Sequence, residues 1–208
     1  MTHHSFLKIL ASLLLSVGIL LLVTSCAEDE PNKNPPTGVD YDETRLADYL
    51  APVTYEGLIV RCQSPQETKS EAILRTLLAA ATVKAYPEGS VEYYEGQLRA
   101  EYRYLAEREE LTYEALLEIR GITEDDLHKE AKAMVKSDLV LLYIRKHADI
   151  SLSEAEKTAF YDRYADRYVE RFGYDRAYVD THLREEIFDS MLFDKTMEYL
   201  LLHNEVTE

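Results

Sequence analysis

The sequence predicts an all-α protein, with at most a short strand element before its helices. All six prolines lie between Pro31 and Pro87, and only four glycines occur in the 121 residues that follow Pro87. This part of the chain therefore contains few residues that break helices. Capping residues also recur along it, and apolar residues return at steps of three and four, as on one face of a helix.

The first 25 residues predict an export signal that ends at a lipidated cysteine. They carry one charged side chain, Lys8, and an apolar run from Ile9 to Val23 that is too short to span a bilayer comfortably. The run ends in Leu22-Val23-Thr24-Ser25-Cys26, which is similar to the lipobox of bacterial lipoproteins. We therefore expect a signal peptide over residues 1–25 and a lipid on Cys26. A plain signal peptide with a chance cysteine, or an uncleaved anchor, is the alternative.

Residues 26–44 predict a flexible tether, because they are rich in Asp, Glu, Pro and Asn and nearly free of apolar side chains. A helical domain is expected to follow over residues 45–208. Such a protein would be extracytoplasmic and anchored to a bacterial membrane, in a cell with either one or two membranes.

The one plausible strand runs from Tyr55 to Cys62. Cys62 has the same strand parity as Leu58 and Val60, which favours a buried thiol, and a reactive site or an intermolecular disulfide is the alternative. With Cys26 lipidated, the chain has no second cysteine for an internal disulfide.

Six helices are then expected, bounded by cap residues, glycines and one proline. Ser64-Pro65-Gln66-Glu67 has the pattern of a capping box and predicts the start of the first helix, and Pro87 stops that helix. The expected spans are Ser64 to Ala85, Glu88 to Glu109, Thr112 to Arg120, Thr123 to His147, Ser153 to Arg171 and Asp175 to His203.

Composition excludes some classes of function. The chain has 39 acidic and 23 basic residues, a net charge of −16, and no run of Lys and Arg, which argues against nucleic-acid binding and against contact with an anionic membrane surface. No two glycines are close enough for a phosphate-binding loop, and no Glu-x-x-His pair or metalloprotease motif occurs. We expect no enzyme activity, no metal and no cofactor.

Apolar and aromatic stripes predict a surface that binds other polypeptides. Tyr161, Tyr164 and Tyr168 share one helix face, and this stripe is either core or one side of a groove with hydroxyls at its wet rim. The candidate binding residues are Tyr94, Leu98, Tyr102, Leu105, Phe160, Tyr161, Tyr164, Tyr168, Tyr178, Leu183, Ile187 and Met191.

The order of short patterns resembles the C-terminal domain of bacterial trigger factor, whose fold also occurs in SurA. The resemblance rests on Tyr86-Pro87-Glu88, on Leu111-Thr112-Tyr113-Glu114-Ala115-Leu116-Leu117, on Gly121-Ile122-Thr123-Glu124-Asp125-Asp126-Leu127 and on Val135-Lys136-Ser137-Asp138-Leu139. It continues through Ile150-Ser151-Leu152-Ser153-Glu154 and the closing helix around Tyr199. It covers roughly residues 85–207, with a weaker likeness over residues 49–60.

This resemblance implies a chaperone that binds unfolded or exported polypeptides without catalysis. Nothing in the chain resembles the ribosome-binding or prolyl isomerase domain of trigger factor, so neither activity is implied. We expect a membrane-tethered chaperone that uses a concave apolar groove of helices 88–109, 154–171 and 175–203, and whose acidity favours basic clients. The alternative is an adaptor lipoprotein that uses the same fold to dock one specific protein.

Overall fold

The computed structural model describes residue 39 and residues 41–207. The predicted signal peptide, Cys26 and most of the predicted tether lie outside the described residues. The described chain divides into two compact units, which we call unit 1 and unit 2. Unit 1 contains residues 39–51 and 82–139, and unit 2 contains residues 52–81 and 140–207. The boundaries of the predicted domain over residues 45–208 stay a prediction.

The described residues are mainly helical, as the sequence predicts. A 3-10 turn occupies Glu43–Arg45, and the two short strands are β1 (Ile59–Arg61) and β2 (Glu205–Thr207). The α-helices are α1 (Leu46–Tyr49), α2 (Lys69–Ala80), α3 (Ser90–Arg108), α4 (Tyr113–Arg120), α5 (Glu124–His147), α6 (Glu154–Phe172), α7 (Arg176–His182) and α8 (Arg184–His203).

Local capping explains why several predicted helix boundaries are confirmed. The Thr112 hydroxyl accepts a hydrogen bond from the Ala115 backbone at the start of α4, and Gly121 ends that helix with φ +62°. Ser153 and Glu156 form a reciprocal capping box at the start of α6. These bonds join residues only three apart, so the sequence alone specifies them.

The predicted start and end of the first long helix are wrong. The capping box of α2 is formed by Thr68 and Glu71. The segment at Ser64 forms a turn instead, in which the Ser64 carbonyl accepts from the Glu67 backbone. The helix ends at Ala80, because the chain then becomes extended and Val83 pairs with Leu50 in an isolated antiparallel bridge.

The predicted last helix is broken into α7 and α8 at Leu183, whose backbone leaves the helical region at φ −117° and ψ 19°. The Leu183 N–H and carbonyl still make i to i−4 hydrogen bonds to Val179 and Ile187. Apolar spacing is therefore helical on both sides of the break, which is why the sequence pattern does not reveal it.

The strand element is shorter than predicted and pairs with the end of the described chain. β1 and β2 form a parallel pair in which Val60 lies beside Val206. The Asn204 side chain joins the residues that precede the two strands, since its Oδ1 accepts a hydrogen bond from the Leu58 N–H at 2.7 Å. Val60 is buried, but Cys62 is only half-buried, so the expectation of a buried thiol is wrong.

Each unit has its own apolar core. In unit 1 it contains Leu98, Leu116, Leu127, Val135 and Leu139, and in unit 2 it contains Val60, Ile73, Leu77, Val179, Ile187 and Leu200. None of the helices in the described part of the chain is both long and apolar enough to cross a membrane.

Candidate polypeptide-binding surfaces

The candidate residues of unit 1 lie on α3, and Leu98 is fully within the core. Tyr94 is half-buried and donates its hydroxyl to the carboxylate of Asp138 on α5. Tyr41 donates to the same Asp138 oxygen at 2.8 Å. Burial and the Asp138 charge raise the pKa of Tyr94 well above its usual value. Tyr94 therefore already has an internal role, which joins α3 to α5.

Tyr102 and Leu105 are half-buried on the same helix. Burial, with the nearby carboxylates of Glu130 and Glu101, raises the pKa of Tyr102 to about 12. The Tyr102 hydroxyl thus stays protonated at neutral pH. Of the four α3 candidates, these two have the clearer capacity to meet another chain.

The tyrosine stripe of α6 in unit 2 is divided between core and surface. Tyr164 and Tyr168 are each only 8% exposed. The Tyr164 hydroxyl donates to Asp194 at 2.7 Å, and the Tyr168 hydroxyl lies 2.8 Å from the Ser190 hydroxyl. These two tyrosines therefore attach α6 to α8, as the core interpretation of the stripe predicts.

Phe160 and Tyr161 lie at the other end of the stripe. Phe160 is 42% exposed, and Tyr161 is half-buried with its ring 5.8 Å from that of Phe188 on α8. We call Phe160, Tyr161 and Phe188 the aromatic surface. Phe188 was not among the candidates, although its place in the apolar row of α8 was visible from its spacing to Leu192.

The remaining candidates of unit 2 are mostly buried. Leu183, Ile187 and Met191 are at most 4% exposed. Tyr178 is half-buried; its ring stacks on that of Tyr174 at 5.3 Å and lies tilted against that of His182 at 4.7 Å. Leu183, Ile187 and Met191 thus build the core that supports α6 and α8, and client contact by any candidate stays a prediction.

Cationic side chains border the aromatic surface. The Arg163 guanidinium carbon lies 4.9 Å from the Phe160 ring centre, and that of Arg184 lies 4.9 Å from the Tyr161 ring and 5.7 Å from the Phe188 ring. The Lys157 ammonium lies 5.1 Å from the Phe188 ring. Such contacts are attractive and hold long side chains against the rings.

Arg176 fixes the start of α7 beside this surface. Its guanidinium binds Asp166 at 2.7 Å and Asp180 at 2.9 Å, and it also binds Asp162 on α6. Asp166 lies on α6 and Asp180 on α7, so these ion pairs hold α7 against α6, the helix that carries Phe160 and Tyr161. The hydrogen bonds and charges of Asp180 and Asp162 raise the pKa of Arg176, which keeps the guanidinium charged.

A family comparison gives the relationship of the chain. The model of the bacterial trigger factor protein C-terminus matches residues 63–201, more than half of the sequence. The chain belongs to this family. Comparisons with curated proteins and with solved structures give no match.

The trigger factor C-terminus is a chaperone-type domain that acts on polypeptide substrates. The resemblance predicted from the sequence is therefore confirmed, as is the helical fold class. Within residues 39 and 41–207, no three side chains of His, Cys, Asp and Glu are grouped to hold a metal ion. The expectation of no metal, no cofactor and no enzyme activity stays a prediction.

Proposed function

We propose that this trigger factor C-terminal protein is a membrane-tethered extracytoplasmic chaperone that holds unfolded or partly folded polypeptides without catalysis. The observation that carries the proposal is the aromatic surface of unit 2. It offers an exposed Phe160 next in sequence to Tyr161, whose ring lies 5.8 Å from that of Phe188. The helices that carry these residues are held by buried tyrosines and by Arg176. Membership of a chaperone-type family supports the same function.

The size of this surface implies weak and exchangeable binding. An aromatic side chain has about 150–250 Å² to bury, and Phe160 leaves 42% of its surface exposed. Covering that fraction is worth about 1.5–2.5 kcal/mol at 25 cal/mol per Å². A chaperone must release its clients, so several contacts of this size suit the function better than one deep pocket.

The charges around the rings add selectivity. Arg163, Arg184 and Lys157 present cations at the rim of the aromatic surface. The net charge of −16 would attract basic clients at long range, as expected from the sequence. The rim cations would meet carbonyl groups or occasional acidic side chains of the bound segment at short range.

Anchoring through a lipid on Cys26 completes the proposal. The pattern Leu22-Val23-Thr24-Ser25-Cys26 supports it, and an acidic chain needs such an anchor because an anionic bilayer repels it. Replacement of Cys26 by Ser in the bacterial host is expected to move the protein from the membrane fraction to the soluble fraction and to abolish incorporation of labelled fatty acid. Unchanged fatty-acid incorporation in this variant would contradict the proposal.

Client binding is tested by suppression of aggregation. The protein is expected to reduce light scattering by a chemically unfolded model substrate at stoichiometric amounts, and Phe160→Ser is expected to weaken this protection. Leu202→Ser is the matched control, since Leu202 is an apolar side chain of unit 2 that is 76% exposed and lies outside the aromatic surface. Full protection by Phe160→Ser, or equal loss in both variants, would refute a role for the surface.

Capture of bound proteins separates this function from the adaptor alternative. A chaperone is expected to retain many unfolded proteins, whereas an adaptor would retain one folded partner. Ribosomes and nucleic acids are not expected among the captured material.

A further inference from the structure

Two lysines of unit 1 lie one turn apart on α5. Lys132 and Lys136 are both half-buried, and residues four apart on a helix have neighbouring side chains, about 6 Å between Cβ atoms. Like charges in this arrangement repel each other and destabilise an isolated helix. The pair is therefore not explained by the stability of α5.

The surroundings of this pair do not neutralise it. No carboxylate of a described residue forms an ion pair with either ammonium, although acids outnumber bases by 39 to 23 in the chain. Lys129, one turn earlier, is by contrast held by Asp125 and lies within 3.7 Å of Asp126. Burial lowers the pKa of Lys136, as expected for a cation that is partly removed from water without a counter-charge.

Tyr86 places an aromatic ring beside Lys132, the first lysine of this pair. The Lys132 ammonium lies 5.6 Å from the Tyr86 ring centre, and Tyr86 is 36% exposed. The backbone on both sides of Tyr86 is fixed, because the Lys84 N–H donates to the Tyr49 carbonyl at 2.7 Å and the Ser90 hydroxyl donates to the Pro87 carbonyl at 2.7 Å. A partly exposed ring is thus held next to Lys132, one helical turn from Lys136, and neither ammonium forms an ion pair with a carboxylate in the described part of the chain.

We propose that Lys132, Lys136 and Tyr86 form a binding site for a carboxylate of a polypeptide, with the Tyr86 ring covering the apolar part of the bound residue. Two flexible lysines on neighbouring turns can both donate to one carboxylate, and charge-assisted hydrogen bonds of this kind are short and strong. The carboxylate is either a C-terminal one or that of an Asp or Glu side chain. Bound there, it supplies a counter-charge that residues 39 and 41–207 do not provide through an ion pair.

Titration with short peptides, followed by NMR of the backbone amides of residues 130–138, tests this site. The probes are N-acetyl-Gly-Gly-Ala with a free C-terminus, the same peptide as its amide, and N-acetyl-Gly-Glu-Gly-amide. The free acid, the Glu peptide or both are expected to shift these amides, while the uncharged amide does not. Which of the two acids binds more tightly identifies the source of the carboxylate.

Variants that keep the side-chain length isolate the charges. Lys136→Met and Lys132→Met are each expected to raise the dissociation constant of the peptide about tenfold, which is the effect of losing one charged hydrogen bond. Lys136→Met is not expected to lower the melting temperature, because no internal ion pair is lost, whereas Lys132→Met also loses the contact with the Tyr86 ring. Lys129→Met is the matched control and is expected to change affinity by less than about twofold, because Asp125 and Asp126 already neutralise this exposed lysine.

Equal binding of the acid and amide peptides, or equal weakening in Lys129→Met, would overturn the proposal. So would a loss of stability in Lys136→Met, since it would show that this lysine is needed for the fold. The site belongs to unit 1, whereas the aromatic surface belongs to unit 2. Aggregation assays with Phe160→Ser therefore fail or succeed independently of these titrations.

Discussion

The ion pair between Glu67 and Arg75 offers a sharp test of what holds β1 to α2 in unit 2. The Arg75 Nε binds a Glu67 oxygen at 2.7 Å, and the side chains are only 13% and 3% exposed. The same guanidinium donates to the Arg61 carbonyl at 3.0 Å, and the Gln63 N–H donates to the Glu67 carboxylate. Arg75→Met removes the charge and keeps the length of the side chain.

The expected cost is large because the change leaves a buried carboxylate without its cation. Breaking a buried pair by removing one partner costs about 3–5 kcal/mol. For a protein of this size that corresponds to a fall in melting temperature of about 6–20 °C. Glu67→Gln in the Arg75→Met background removes the stranded charge and still accepts from Gln63, so it is expected to recover most of the loss.

Unfolding of both variants is measured with urea, and hydrogen exchange at β1 reports the region affected. Arg45→Met is the matched control, since the Arg45 and Asp48 side chains are 59% and 62% exposed and such a pair contributes little. An Arg75→Met variant that unfolds at the urea concentration of the control would refute the reasoning. So would a double variant no more stable than the single one.

The same pair predicts a pH dependence. Burial opposes ionisation of Glu67, but the hydrogen bonds from Arg75 and Gln63 outweigh it and lower the pKa of Glu67 below its usual value. A carboxyl with a depressed pKa in the folded state contributes stability above its unfolded pKa of about 4.3, and this is lost as the pH falls through the folded value. The difference between wild type and Arg75→Met is therefore expected to be constant near pH 7 and to shrink in acid.

Three further predictions concern single residues. Ser153→Ala is expected to destabilise by about 1 kcal/mol through loss of the α6 cap, with faster hydrogen exchange confined to the first turn; uniform exchange across unit 2 would contradict it. Gly121→Ala is expected to lower the free energy of unfolding in urea by about 1–2 kcal/mol, because the backbone φ at this position is +62°. Gly96→Ala within α3 is expected to raise it by about 0.5–1 kcal/mol, since alanine favours the helix and has room there. Changes of the same sign in the two variants would contradict this difference. Leu116→Ala is expected to lower the free energy of unfolding by about 2–5 kcal/mol, because its side chain is fully buried. Ile119→Ala on the same helix is expected to have little effect on thermal unfolding, since Ile119 is 71% exposed. A small loss of stability in both variants would contradict close packing around Leu116.

The sequence identified helices and family, but it identified the candidate binding surface only in part. Phe160 and Tyr161 were predicted from their crowding with other aromatics, and the structure places both on the aromatic surface. Tyr164 and Tyr168 share the same periodicity but are buried against α8. Periodicity states which residues share a helix face, and the extent to which a neighbouring helix covers that face depends on packing that local spacing does not encode.

By itself the sequence determined the elements whose stabilising bonds are local. The caps at Thr112 and Ser153 and the glycine end of α4 each depend on bonds within a few residues, so their residue types are sufficient evidence. Tertiary structure alone decided the parallel pairing of Val60 with Val206, the bend at Leu183 and the exposure of Phe160. The strand pairing and the covering of side chains result from contacts between segments distant in the chain, where the free energy of burial selects among arrangements that the local sequence permits equally. The break at Leu183 leaves the local helical hydrogen bonds in place, so the apolar spacing does not reveal it.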